Sequence, residues 1–479
     1  MRIVLFPVIS SRFVPAAPSI NFVRAFVHRV LDVDPEAVFY LVLPDETVDK
    51  SGWQYGEEIH LPRTHIVKVP MYRSQFDDLH LMTREFWELF NERVGGLWFD
   101  AILNERPALA GPLLRLSSFH IESKSRHPTV VNRNQIVLKS DWFGSGAIDE
   151  MMETVGSWAV PTVYQSPHQM VEAHAMARRY LQPAQMRRLQ DHSHVVPLGI
   201  DCDDVDATNM VERSQKHPQI TINYSHKLFL EQKFIESLAL MDSVFAGGRD
   251  VGLQIVTGSS PSKLSFLKDA RRFRYMHTVG RASRQVFLRE MAKAHLFVSN
   301  SVYEDFSATV VEMMYTGLIP VLPDRPWARY LVPDGYPYLF RDSAEAQAMV
   351  RYVVDNHEQI SLEWVSTIQE DIRARFDLKN IAVDLYELMR RYRAEDLEAQ
   401  KVSGPMVEVV DQVWAELPDV FGIPEIAQLV RVHARNMDLE KEAESKSTSK
   451  FMFVDQLLRR HGAGLVDLGT LHPTWQRRP

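Results

Sequence analysis

The sequence predicts an α/β chain made of two successive, doubly wound Rossmann-like halves. Three observations predict it. Apolar runs of strand length alternate with stretches of helical period through the first half. The alternation breaks near residue 200, where a short Pro-Leu-Gly-Ile-Asp segment leads into a polar stretch ending at His217. It then restarts at Ile220 and continues past Phe340.

Each element has its own justification. Ile3–Val8 is a continuous apolar run, as expected of a parallel strand covered on both faces. Helical periodicity follows over Asn21–Leu31, then a second strand over Ala37–Leu43. Phe99–Leu103, Thr129–Val131 and Pro161–Tyr164 continue the strands, with helices expected near 78–94 and 168–191. In the second half, strands are expected at Ile220–Tyr224, Leu253–Thr257, Tyr275–Val279, His295–Ser299, Ile319–Leu322 and Tyr338–Phe340. Helices are expected near 230–242, 283–294, 307–316, 343–356, 361–375 and 379–399. Residues 401–479 form an extension with helical candidates at Met406–Leu417, Ile423–Ala434 and Phe451–Arg460. The expected domains are therefore 1–200, 201–400 and the helical extension 401–479.

Composition narrows the class. With 479 residues, 45% of them hydrophobic and 24% charged, the chain has the make-up of a globular protein with two or three cores. A net charge of −8 argues against a surface built as a whole to grip nucleic acid or anionic lipid. No apolar run reaches the roughly 18–20 residues of a membrane span, and Met1–Phe6 lacks a signal-peptide cleavage pattern. Cys202 is the single cysteine, which excludes an intrachain disulfide and a cysteine-based zinc site and points to the cytoplasm.

The chemistry concentrates in Tyr303-Glu304-Asp305-Phe306-Ser307-Ala308-Thr309-Val310-Val311-Glu312. A strand precedes it, a helix starts within it, and two glutamates stand eight positions apart. A helix N-terminus presents unpaired N–H groups and the positive end of a dipole, which suits an anion. Carboxylates on either side suit hydroxyl groups. A diphosphate between two polyhydroxylated halves, as in a nucleotide-sugar, would satisfy both. The plain alternative is a helix with one buried face and two solvated glutamates.

This segment, with the following Gly317-Leu318-Ile319-Pro320-Val321, resembles the donor-sugar signature of retaining GT-B glycosyltransferases, which have two glutamates at this spacing between two buried strands. The resemblance covers the chain to about residue 400. It implies a GT-B fold of two Rossmann-like domains facing a cleft, a late helix crossing back to the first domain, and sugar transfer with retention of configuration. It also implies roles. Glu304 would hold sugar hydroxyls, and Asp305, Phe306, Ser307, Ala308, Thr309 and Val310 would offer backbone N–H groups to sugar and phosphate. Glu312 would take the ribose hydroxyls. Lys227 and Lys233 would stand near the family's arginine and lysine on the diphosphate, although lysine for arginine gives up bidentate recognition. No metal is implied: Asp201-Cys202-Asp203 has the letters of a metal motif but falls in the interdomain turn. No cofactor is implied beyond the donor as substrate.

The acceptor side is less marked. Arg12, Asn104 and His168 follow first-half strands and are candidates for acceptor or phosphate contact, as are Glu105 and Arg106; caps and surface roles are equal alternatives. His277 reads as a packed strand-end histidine. The acceptor is open among a polysaccharide, a small molecule and a modified nucleic-acid base, the last suggested by arginine clusters such as Arg271-Arg272-Phe273-Arg274. Competing functions are a non-catalytic GT-B scaffold that binds nucleic acid or a protein, and a sugar-nucleotide epimerase.

Overall fold

The computed structural model describes residues 1–7, 18–45, 59–69, 90, 92–93, 99–110, 113, 128–134, 147–209, 215–224, 250–256, 275–279 and 284–399, with three short segments at 420–422, 464–467 and 474–476. Arg12, Lys227 and Lys233 lie outside them, as do the expected helices at 230–242, 406–417, 423–434 and 451–460 and most of that at 78–94.

The chain divides into two compact units. The first comprises Met1–Tyr164, Met170–Val195 and Val383–Pro479; the second comprises Gln165–Gln169 and Val196–Ala382.

The first unit is organised on seven parallel strands. They are β1 (Arg2–Phe6), β2 (Val38–Pro44), β3 (Thr64–Val69), β4 (Ala101–Asn104), β5 (Thr129–Asn134), β6 (Thr162–Tyr164) and β7 (Ser193–Val195), in spatial order β3-β2-β1-β4-β5-β6-β7. Ile3, Val4, Leu5 and Phe6 are all buried, as a strand covered on both faces requires. Each such side chain contributes about 1.5–3 kcal/mol of burial. β3 is an edge strand whose first three residues keep partial or full exposure. It carries little of the apolar signal that marks the central strands. A helix at Ala147–Ala159 packs against the 3₁₀ turn Pro107–Leu109. Contact there is backbone on backbone: a Cβ at Gly156 would sit 1.7 Å from the Pro107 carbonyl oxygen.

The expected single helix at 168–191 is corrected to two, Pro167–Ala177 and Pro183–Asp191. Pro183 cannot continue a helix but opens one readily at its first position. The Gln182 N–H at that start donates to Gln185 Oε1 (2.8 Å).

The second unit repeats the plan with β8 (Thr221–Asn223), β9 (Gly252–Val256), β10 (Tyr275–Val279), β11 (Leu296–Val298), β12 (Ile319–Pro323) and β13 (Leu339–Phe340). Their order is β10-β9-β8-β11-β12-β13, all parallel. Its core joins both sheet faces to the helices Ala308–Tyr315, Pro326–Leu331, Ser343–Asp355 and His357–Phe376, with Trp327 among its largest buried side chains. Asp342 caps the Ser343 helix by accepting from the N–H groups of Ala344 and Glu345, both at 2.9 Å.

Both sheets place the first strand beside the fourth, the Rossmann order 3-2-1-4-5-6. A topological switch point therefore falls between β1 and β4 in one unit and between β8 and β11 in the other. Ligands of such sheets bind at the carboxyl ends of those strands. The last helix, Leu378–Ala399, starts in the second unit and counts with the first from Val383 onward. In that first unit the Tyr386 hydroxyl donates to Asp34, and the Tyr392 hydroxyl meets His194 Nε2 at 2.7 Å.

In the extension, β14 (Val420–Gly422), β15 (Gly464–Asp467) and β16 (Thr474–Gln476) form an antiparallel sheet in the order β14-β16-β15. Helical periodicity alone gave no sign of it.

Candidate functional site

The site residues foreseen between 303 and 312 follow β11 directly, at the switch point of the second sheet. The loop 299–307 leads from that strand into the helix Ala308–Tyr315. Sequence explains both helix ends. Gly317 takes φ +91°, and its N–H donates to the Met314 carbonyl (3.0 Å) while that of Leu318 donates to Met313 (3.2 Å). This is a Schellman stop, in which glycine is the residue without a Cβ penalty. At the other end Ser307 occupies the cap position in extended conformation, yet its side chain makes no capping bond. Asp342 caps its own helix in the same unit, whereas the helices Pro326–Leu331 and His357–Phe376 start, like this one, without a side-chain cap. The first N–H groups, of Ala308, Thr309 and Val310, have no intrahelical acceptor and receive none from the cap.

Both glutamates are buried, Glu304 at 4% exposure and Glu312 at 5%. The solvated-glutamate alternative required the opposite. A buried carboxylate is held by hydrogen bonds, and Glu304 Oε1 accepts from the Ser301 hydroxyl at 2.7 Å. Ser301 is fixed in turn, because its carbonyl accepts from Trp327 Nε1 at 3.2 Å. The Tyr303 hydroxyl donates to Asp305 Oδ1. Phe306 turns inward and packs edge-on against Phe376, with ring centres 5.4 Å apart. It anchors the loop in the core.

His168 is brought to this loop. Residues Gln165–Gln169 belong to the second unit, and His168 Nε2 hydrogen-bonds the Glu304 carbonyl. The Ser166 hydroxyl donates to the Asp305 carbonyl at 2.7 Å. The His168 ring also meets Tyr303 and Tyr330 edge-on, with centres 5.9 and 6.5 Å apart. Ser166, Ser301, Trp327 and Tyr330 were not foreseen. Only Ser301 lies close enough in sequence to Glu304 for inspection to find it.

Asn104 ends β4 in the first unit. Its amide donates to Asn132 Oδ1 (2.7 Å) and to the Arg106 carbonyl (2.8 Å), and its Oδ1 accepts from the Arg106 N–H (3.1 Å). Glu105 forms a buried ion pair with Arg133. Asp203 opens the helix Cys202–Asn209 and lies 3.3 Å from Arg373. Cys202 is buried there, and burial, reinforced by Asp377, pushes its thiol up to about 12. His277, nearly half exposed, pairs with Glu290 at 3.2 Å.

Solved glycosyltransferases of the GT-B class share this fold, and the chain has it: two parallel sheets with flanking helices. Sucrose-phosphate synthase from Thermosynechococcus elongatus aligns with a TM-score of 0.58 at 14% identity, covering 82% of this chain and 100% of that one. Anabaena HepE, solved with UDP-glucose, aligns at 0.54 and 12% identity, over 82% of this chain and 100% of its own. The N-terminal domain of Candida albicans trehalose-6-phosphate phosphatase aligns at 0.57 and 13% identity, over 82% and 97%. No family model matches the chain, and no curated protein matches it.

Proposed function

We propose that this chain is a retaining, metal-independent glycosyltransferase that moves a sugar from a nucleoside-diphosphate sugar to an acceptor. One observation carries it. Two buried glutamates bracket an uncapped helix N-terminus at the carboxyl edge of a Rossmann sheet. Carboxylates accept hydrogen bonds from hydroxyl groups, which a sugar and a ribose both carry. The open N–H groups of Ala308, Thr309 and Val310 meet an anion between them.

Departure of the nucleoside diphosphate puts negative charge on the leaving oxygen and positive charge on the anomeric carbon. The helix start and the cations Lys227 and Lys233 take up the first. Glu304 orients the sugar through its hydroxyls, and Glu312 holds the ribose. The acceptor hydroxyl then attacks from the face the leaving group vacates, and the departing phosphate oxygen receives its proton. No protein carboxylate acts as nucleophile, so the pair is not a glycosidase pair. A cytoplasmic setting fits the lone cysteine. That HepE is solved with UDP-glucose favours a uridine donor among the nucleotides to test first.

The test is a screen of radiolabelled nucleotide-sugars against the full chain, following release of the nucleoside diphosphate. Wild type should hydrolyse or transfer at least one of them, and Glu312→Ala should lose binding of that donor. Turnover equal in wild type and Glu312→Ala, or tight nucleic-acid binding with no turnover of any donor, would sink the proposal.

A further inference from the structure

The strand ends of the first sheet carry charge that donor binding leaves unused. β4 and β5 run in parallel with Asn104 opposite Asn132, so the next residues, Glu105 and Arg133, are neighbours as well. Side chains alternate along β5. Asn132 and Asn134 turn to the helix Ala147–Ala159, where they donate to the Gly156 carbonyl (3.1 Å) and to Glu153 Oε1 (2.6 Å). Arg133 turns the other way, toward the helix Pro18–Val33, and its guanidinium carbon lies 3.5 Å from the centre of the Phe22 ring.

Arg133 is 1% exposed, and its Nη1 donates to Glu105. Its Nε and Nη2 have no acceptor among the described residues. These two nitrogens form one edge of the guanidinium, the edge that grips an oxyanion with two parallel bonds. Leaving a buried charged donor without an acceptor is costly, and native interiors rarely tolerate it. Two further features point the same way. Phe22 lies in the second turn of a 16-residue helix whose first turn has no acidic residue to compete for the guanidinium. Arg106 adds a second guanidinium one residue beyond Glu105, and burial lowers its pKa to about 10. The place is the β1/β4 switch point of the first sheet.

We infer that the carboxyl ends of β4 and β5 form an oxyanion subsite, in which the open Nε–Nη2 edge of Arg133, supported by Arg106, binds a phosphate-class group carried by the acceptor. Assigning the anion to the acceptor depends on the glycosyl-transfer function proposed above; the subsite itself does not. The transferred sugar would then go to a hydroxyl of an anionic molecule, such as a sugar phosphate.

Calorimetric titration of the full chain with inorganic phosphate, alone and after saturation with UDP, tests it. Saturable phosphate binding should persist in the UDP-saturated chain. Arg133→Lys keeps a charge beside Glu105 but removes the open edge, and should weaken phosphate about tenfold or more while UDP affinity holds. Arg106→Gln, which leaves the Glu105–Arg133 pair in place, should weaken it in the same direction. Displacement of phosphate by UDP would make the anion the donor's and overturn the assignment. Unchanged affinity in both folded variants, or no saturable phosphate binding, would overturn the subsite. Phosphate binding without any nucleoside-diphosphate binding would refute the glycosyl-transfer function and leave the subsite standing.

Discussion

The two sheets share one strand order, but their switch points are furnished with opposite chemistry. In the first unit the strands themselves end in polar residues: Asn104 closes β4 with Glu105 just after it, and Asn132, Arg133 and Asn134 close β5. These groups lock one another in hydrogen bonds and an ion pair. In the second unit β11 stays apolar to its end, and polar groups appear in the loop and the uncapped helix that follow. One edge is therefore rigid and tends to the cationic, while the other exposes helix N–H groups between two carboxylates. Identical backbone frames can divide a reaction between them in this way. One offers main-chain donors at a helix start, and the other presents fixed side chains.

Four substitutions press on that contrast, from the largest expected effect to the smallest. Glu105→Ala would strand the buried Arg133 charge, and chemical denaturation should show a loss of about 3–5 kcal/mol. A loss under about 1 kcal/mol would mean that the first edge is not held by its ion pair. Glu304→Gln should leave the melting temperature close to wild type and lower kcat about 10²–10³-fold, the scale of losing one group that acts in the transition state. A large fall in melting temperature with proportionate loss of activity would make Glu304 a structural residue instead. Gly156→Ala forces a Cβ onto the Pro107 carbonyl and should cost about 1–3 kcal/mol by overpacking, read as a lowered denaturation midpoint.

The smallest effect is on pH. His295 is buried and its Nδ1 accepts from the Thr221 N–H at 3.1 Å. Burial, with His357 beside it, lowers its pKa from 6.5 to about 3. The folded chain thus refuses a proton that the unfolded chain accepts. Stability from this residue is complete above about pH 6.5 and is lost as pH falls toward 3. Roughly 1 kcal/mol should go between pH 7 and pH 5.5. His295→Gln should flatten that part of the stability profile, and an unchanged slope would assign the acid sensitivity to other histidines.

Most of the second unit was legible because its elements are short, apolar and closely spaced, and because the glutamates and the helix start lie within ten residues of chain. Tyr275–Val279 even matches to the residue. Burial of Glu304 and Glu312 was not legible, since an E-x₇-E spacing is silent about what covers each carboxylate. Ser166 and His168 were unreadable as loop supports because they stand 139 and 136 positions from the residues they bond. Pro183 did signal the break in the expected 168–191 helix, and apolar periodicity on either side of it masked that signal. The edge strand β3 went unforeseen because half its residues face away from the core. Glu105 was a candidate from sequence but Arg133 was not, because only the β4–β5 register joins the two.

The close approach at Gly156 has a consequence for kinship. At identities of 12–14%, chains can share this fold with little sequence in common. Positions where a carbonyl occupies the space of a side chain do not vary in that way, since every substitution is penalised at once. Gly156 and the proline-led turn some fifty residues earlier are therefore a paired requirement: any chain that seats this helix as closely needs a residue without a side chain at the one and a carbonyl at the other.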